Sequence, residues 1–129
     1  MDTHSRLRVL IVDDEPLIRW SIGQTLVERG HHVTETGDAA GARSALRDGA
    51  AFDIVLLDYR LPDSNDLSLL ASIRRSDPAP RVIMMTAFGR PDMIRDAIVL
   101  GAFCVVNKPF ELHAMADLVA SAAGRGETH

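Results

Sequence analysis

Asp13, Asp14, Asp58, Thr86 and Lys108 have types and spacing that suit them to act together, because each stands at or just past the end of a short apolar run. Asp58 closes Ile54-Val55-Leu56-Leu57, and the pair Asp13-Asp14 follows Leu7 to Val12. Thr86 follows Val82-Ile83-Met84-Met85, and Lys108 lies just beyond Phe103 to Val106. Three carboxylates in one pocket repel each other, which costs free energy unless a cation offsets them. Oxygen-only ligands select a hard divalent ion, and a site with few protein ligands that leaves room for water and phosphate suits Mg2+ better than calcium. Lys108 can neutralise remaining charge or grip an anion. The Thr86 hydroxyl can hydrogen-bond a new oxyanion. A carboxylate in this company is a suitable nucleophile toward phosphorus, since metal and ammonium offset the charge that would repel an incoming phosphoryl group. The product at Asp58 would be an aspartyl phosphate, whose added charge and acceptor oxygens would draw in Thr86 and the loop after it.

For these residues to meet, the apolar runs must be parallel strands that share one C-terminal rim, where open α/β sheets carry their chemistry. Continuous apolar runs of this length, rich in β-branched residues and bounded by turn formers, read as strands buried on both faces. His32 to Thr36, with Val33 as its one strongly apolar residue, reads as a polar edge strand. Between the strands lie helical patterns. Pro16 suits the first turn of a helix over Pro16 to Arg29, with Ile18, Ile22 and Leu26 on one stripe and Gly30 as its cap. Asp38 is placed to cap a second helix with the thin stripe Ala42, Ala45 and Leu46, in which Gly41 is a local weakness. A third helix packs Leu67, Leu70 and Ile73 inward and ends before Pro78. A fourth, entered through Arg90-Pro91-Asp92, packs Ile94, Ala97, Ile98 and Gly101, and a last carries Leu112, Met115, Val119 and Ala122. Five strands alternating with five helices predict an α/β domain: a five-stranded parallel sheet with right-handed crossovers and helices on both faces. The flavodoxin-like strand order 2-1-3-4-5 is the better fit of the two common ones.

With 129 residues, the chain is expected to form one domain burying about 65 to 70 per cent of its unfolded surface. Residues 1–6 read as a frayed N-terminus, 7–123 as the domain and 124–129 as a linker stub or tail. The composition, 47% apolar and 25% charged with 5% aromatic, is that of a globular protein with an aliphatic core. A net charge of -4 and the lack of a Lys/Arg run argue against direct nucleic-acid binding. A single cysteine, Cys104, excludes an internal disulfide framework, and no clustered histidines offer a zinc set. No apolar stretch approaches membrane-spanning length and no signal-peptide core is evident, so the cytoplasm is the default compartment.

Four motifs occur in order: Ile11-Val12-Asp13-Asp14-Glu15-Pro16, Leu56-Leu57-Asp58-Tyr59-Arg60-Leu61-Pro62, Met84-Met85-Thr86-Ala87 and Asn107-Lys108-Pro109-Phe110. On these the chain from about Leu7 to Ala123 resembles the receiver domain of bacterial two-component response regulators. Met84 to Gly89 and Gly101-Ala102-Phe103 are most similar to the nitrogen-regulation (NtrC-like) class, which usually precedes an ATPase domain and a DNA-binding domain. The resemblance implies that Asp58 accepts a phosphoryl group from a histidine kinase or phosphotransfer protein. It implies that Asp13, Asp14 and Asp58 hold Mg2+ together with the backbone carbonyl of Arg60, and that Thr86, Ala87 and Lys108 form the phosphate-binding switch. The implied role is a signalling switch, not a turnover enzyme. Helix four, strand five and helix five would be the surface that alters dimerisation or contact with an output domain beyond this chain, with transcription regulation as the outcome. Two departures stand out. The family usually has an aromatic residue where this chain has Val105, so the aromatic half of the switch is absent. In the loop after Asp58 the family's Gly-Met-Asp-Gly is replaced by Asp63-Ser64-Asn65-Asp66, which removes glycines that permit unusual backbone angles and offers Asp66 as an N-cap.

Other assignments stay open at this point. A degenerate receiver could switch as an interaction module without phosphate. A Mg2+-dependent phosphohydrolase also forms an aspartyl phosphate, but resembles haloacid-type enzymes that need an acid-base aspartate where Arg60 stands. A flavin carrier would place a phosphate loop after strand one, where this chain has repelling carboxylates. Bulky Arg60 and Phe88 flank the path of attacking water, which predicts slow self-dephosphorylation. The remaining candidates read as structural: Trp20 as partial core, Cys104 as a buried inert thiol, and His31, His32 and His113 as surface residues.

Overall fold

The computed structural model describes residues 6–48 and 51–124; residues 1–5, 49–50 and 125–129, and with them most of the expected frayed terminus and tail, lie outside the described residues. Strands and helices alternate as β1 (Arg8–Val12), α1 (Pro16–Glu28), β2 (His32–Thr36), α2 (Ala39–Arg47), β3 (Ile54–Asp58), α3 (Ser68–Arg75), β4 (Arg81–Thr86), α4 (Pro91–Val99), β5 (Cys104–Asn107) and α5 (Leu112–Ala122). All pairings are parallel, in the order β2-β1-β3-β4-β5. This is the order expected from the pattern, with the polar strand β2 at an edge.

The inner runs of β1, β3 and β4 are apolar because each alternate residue meets a different helical layer. Leu10, Val12, Val55, Leu57, Val82 and Met84 face α2, α3 and α4, packing on Ala39, Ala42, Leu69, Leu70, Ile73 and Ala97. Val9, Ile11, Ile54, Leu56, Ile83 and Met85 face α1 and α5, packing on Ile22, Leu26, Met115, Ala116, Val119 and Ala122. Truncating a fully buried member such as Leu56 to alanine would cost about 2–5 kcal/mol. The register aligns Val12 with Leu57 and sets Asp58 beside Met85 and Thr86 beside Asn107. The residues leaving β1, β3, β4 and β5 therefore emerge on one rim.

Several local expectations shift. Gly41 is no weakness: its amide donates to Asp38 Oδ1 at 2.7 Å, and a Cβ there would run into the Thr36 hydroxyl, so only glycine fits between β2 and α2. α3 starts at Ser68, leaving Leu67 half-buried before it and bringing Leu69 into the core beside Leu70 and Ile73. On α4 only Ala97 is fully buried; Ile94 is half-buried and Ile98 is exposed. Trp20 is 56% exposed and so is not core, because it lies off the stripe that α1 turns to the sheet through Ile22 and Leu26. Cys104 is half-buried, at the edge of the α1/α5 layer. His32 and His113 are exposed, whereas the Nδ1 of half-buried His31 accepts the Leu7 amide at 3.1 Å. No described helix is long and apolar enough to cross a membrane.

Candidate functional site

Asp13 continues β1 by one residue: its amide donates to the Thr36 carbonyl at 3.1 Å. That ladder bond turns its side chain inward, and the residue is fully buried. Asp13 Oδ1 accepts the Glu15 amide at 2.9 Å, and Oδ2 accepts Lys108 Nζ at 2.9 Å. Asp58, the last residue of β3, is 6% exposed. Its Oδ1 accepts the Arg60 amide at 3.3 Å and its Oδ2 accepts Lys108 Nζ at 3.1 Å. Asp14 is exposed at the rim, yet one oxygen from each of Asp13, Asp14 and Asp58 lies within 4.8 Å of the other two.

Lys108 follows β5, and its amide donates to the Thr86 carbonyl at 2.8 Å, which ties the lysine to the threonine through the backbone. Thr86 is buried, and its hydroxyl oxygen accepts the Phe88 amide at 3.2 Å. Asp58, Arg60, Thr86, Ala87 and Lys108 all border a cavity of about 750 Å3 that reaches the start of α4 at Arg90 to Met93. The structure thus brings together all five residues first singled out, with Ala87 and Arg60 beside them. Val105 does not join them: it pairs with Met84 in the sheet and packs toward the α2–α4 layer.

Burial and the neighbouring Asp13 charge push the Asp58 carboxyl up to about 6, against the pull of Lys108 and the Arg60 amide. For Lys108, burial works against the charged form, but its bonds to Glu15, Asp13 and Asp58 outweigh it and raise the ammonium above its usual range. An oxygen-only set of converging carboxylates, two of them buried and one already resisting ionisation, fits a hard divalent cation. The residues present are therefore suited to hold Mg2+.

Three contributors escaped the sequence. Glu15 Oε1 accepts the third proton of Lys108 at 2.7 Å. Arg19, in the first turn of α1, donates from a terminal guanidinium nitrogen to the Asp13 carbonyl at 2.7 Å and from Nε to Glu35 at 3.2 Å, bracing the loop that carries the acids. Asn107 Oδ1 accepts the Gly89 amide at 3.1 Å, fastening the loop after Thr86 to the residue beside Lys108. Glu15 and Asn107 stand inside two of the motifs and Arg19 just beyond one, so their identities are visible in the sequence but their rotamers are not.

The altered loop after Asp58 closes without glycine. Leu61 and Ser64 exchange backbone bonds around Pro62 and Asp63, and no described residue other than glycine has a positive φ. Asp63 accepts the Ala39 amide at 2.7 Å and the Ala40 amide at 3.0 Å, which hold its carboxyl below the usual range and pin the loop to the start of α2. Asp66 accepts both the amide and the hydroxyl of Ser68, so it bonds the first turn of α3 from one residue before the N-cap position.

Residues 9–120 match the family described as response regulator receiver domain. Among curated proteins the chain is similar to the response regulator protein PilR of Pseudomonas aeruginosa, with 39% identity over 92% of this chain and 26% of that protein. It is also similar to the DNA-binding transcriptional regulator NtrC of Azospirillum brasilense, with 33% identity over 89% of this chain and 24% of that protein. The chain thus spans about a quarter of the length of these relatives. Among solved structures, a CheY-like response regulator receiver domain protein from Methanospirillum hungatei superposes with a TM-score of 0.85 at 27% identity, covering 95% of this chain and 98% of that one.

Proposed function

The chain belongs to the response regulator receiver domains, and from that membership we propose that Asp58 is the phosphoacceptor of a two-component signalling switch, fed by the phosphohistidine of a kinase or phosphotransfer protein. In this proposal Asp13, Asp14, Asp58 and the Arg60 backbone carbonyl hold Mg2+. Bound there, the ion supplies Lewis-acid charge neutralisation. One Asp58 oxygen attacks phosphorus, the bond from phosphorus to the histidine nitrogen breaks, and the imidazole leaves with that electron pair. Lys108 stabilises the charge on the phosphoryl oxygens, and Thr86 turns its hydroxyl from accepting the Phe88 amide to donating to the new group. The observation that carries the proposal is one ammonium shared between Asp13 and Asp58, beside a cavity that Asp58, Thr86 and Lys108 all line.

Movement of Thr86 would act on α4 through Phe88 and Gly89, altering the α4–β5–α5 surface that governs dimerisation or an output domain, with transcription regulation as the outcome. The boundaries that go with this are a signalling domain over residues 7–123 with a linker following, in a cytoplasmic protein that binds no nucleic acid through this domain. Incubation with acetyl phosphate and Mg2+ should add one phosphoryl mass. No adduct, or an adduct that persists in Asp58→Ala, refutes the assignment.

A further inference from the structure

Lys108 has three ammonium protons, and all three are engaged: by Asp13 Oδ2 at 2.9 Å, Asp58 Oδ2 at 3.1 Å and Glu15 Oε1 at 2.7 Å. A phosphoryl oxygen can reach this cation only if one of them withdraws. Asp13 is wholly buried, so it cannot swing out to solvent, and as a proposed Mg2+ ligand it must stay beside the site. Asp58 carries the reacting group itself. The Glu15 side chain is 54% exposed and can exchange the ammonium for solvent.

The local geometry shows that this contact is selected over an available alternative. Glu15 is the N-cap residue of α1, where a carboxylate ordinarily accepts the first free helix amides. Here Pro16 occupies the first helical position and Glu15 makes no cap bond. Its backbone is instead fixed by its amide bond to Asp13 Oδ1, and its carboxylate crosses to Lys108. It borders the same cavity as Asp58 and Thr86.

We propose that Glu15 is a resting-state stand-in for the phosphoryl group, holding the Lys108 proton that a phosphoryl oxygen takes over, so that it restrains modification of Asp58 and leaves on modification. The proposal rests on the phosphoacceptor assignment above. Glu15 is a positioning residue: it forms no bond to phosphorus and acts through Lys108. Its release is an exchange of one anion for another on the same cation, with no proton lost from the ammonium.

The test compares wild type, Glu15→Gln and Glu15→Asp at saturating Mg2+, following adduct mass with acetyl phosphate and affinity for beryllium fluoride, with thermal melting to verify folding. Breaking an ion pair with an exposed partner should release about a two- to fivefold gain. Glu15→Gln should therefore form the adduct and bind beryllium fluoride faster and tighter by that factor. Glu15→Asp keeps the charge, but one methylene shorter it turns to cap α1, and it should match Glu15→Gln. Equal rates in wild type and Glu15→Gln overturn the proposal while leaving Asp58 as acceptor. A Glu15→Asp protein indistinguishable from wild type also overturns it, since charge near the site and not the Lys108 contact would then be responsible. Absence of adduct in wild type defeats the phosphoacceptor assignment and this inference together.

Discussion

The acid pocket and the α4–β5 face sit on the same half of the molecule but are built in opposite ways. In the pocket the charged groups fix one another: Lys108 is held by three carboxylates, Asp13 by both oxygens and its amide, and the loop around it by Arg19. On the other face α4 contributes one fully buried side chain, Ala97, while Ile98, Val99, Leu100 and Phe103 are exposed. A region dense in mutual bonds has few alternative states, whereas one with little buried area can reposition at low cost. The proposed switch would use both: a receptor whose buried acids keep their places and a reporter that can move.

The contrast is easiest to break at Asp58. Asp58→Ala should remove all phosphoryl adduct by mass, and with it any chemical-shift change at Ile94 to Val106; shifts there in the variant would detach the reporter from the pocket. Lys108→Ala comes next, because it leaves buried Asp13 and Asp58 without a cation. The expected loss is about 3–5 kcal/mol of unfolding free energy, part of it restored by Mg2+. A variant of wild-type stability would show that the pocket is not the rigid region.

The third test is pH. Asp58 titrates near 6 in the metal-free fold, against an ordinary 3.8. Its folded value lies above its unfolded one, so between about pH 4 and 6 the native state holds more protons than the unfolded state. Its contribution to stability is present at low pH and lost as pH rises through that window, by up to about 3 kcal/mol. Denaturation in EDTA should show this slope, and Asp58→Asn should flatten it. Mg2+ binding must displace the same proton, so its affinity should fall toward tenfold per pH unit below about 6. A pH-independent affinity would refute the link. Smaller still, Ile98→Ser should change stability by no more than about 0.5 kcal/mol. A loss of several kcal/mol would mean that α4 is as firmly packed as the pocket. Replacing Arg60 and Phe88 by small polar residues should speed decay of the adduct; an unchanged half-life would show that they do not screen Asp58 from water.

The parts of this arrangement that could be read in the sequence are those fixed by strand periodicity. Asp13, Asp58, Thr86 and Lys108 each mark the end of a run, and parallel strands bring such ends to one rim, so their meeting followed from the pattern. Mg2+ and the phosphoryl group are proposed from the chemistry of that meeting. Helix faces were less legible: Trp20 lies beside the α1 stripe and not on it, while Ile98 falls on the expected α4 stripe, but a stripe is core only where another element covers it, and α4 lies over the short edge strand β5. Glu15, Arg19 and Asn107 were invisible for another reason, since each has a bland local role it could have taken and each instead reaches a partner distant in sequence. The loop after Asp58 shows the converse. Its missing glycines suggested a disturbed geometry, yet Asp63 replaces conformational freedom with two bonds to α2.

The division of the core between the two faces of the sheet has a practical consequence for anyone wiring this domain into a sensor. α1 and α5 share one layer, cross-linked by Arg29 and Asp117 at 2.7 Å, while α4 belongs to the other. A fluorophore on α1 would ride on the side of the sheet away from α4 and outside the surface proposed to change, and should report little. One placed at Val99, 77% exposed on α4, would sit on the α4–β5–α5 surface proposed to change.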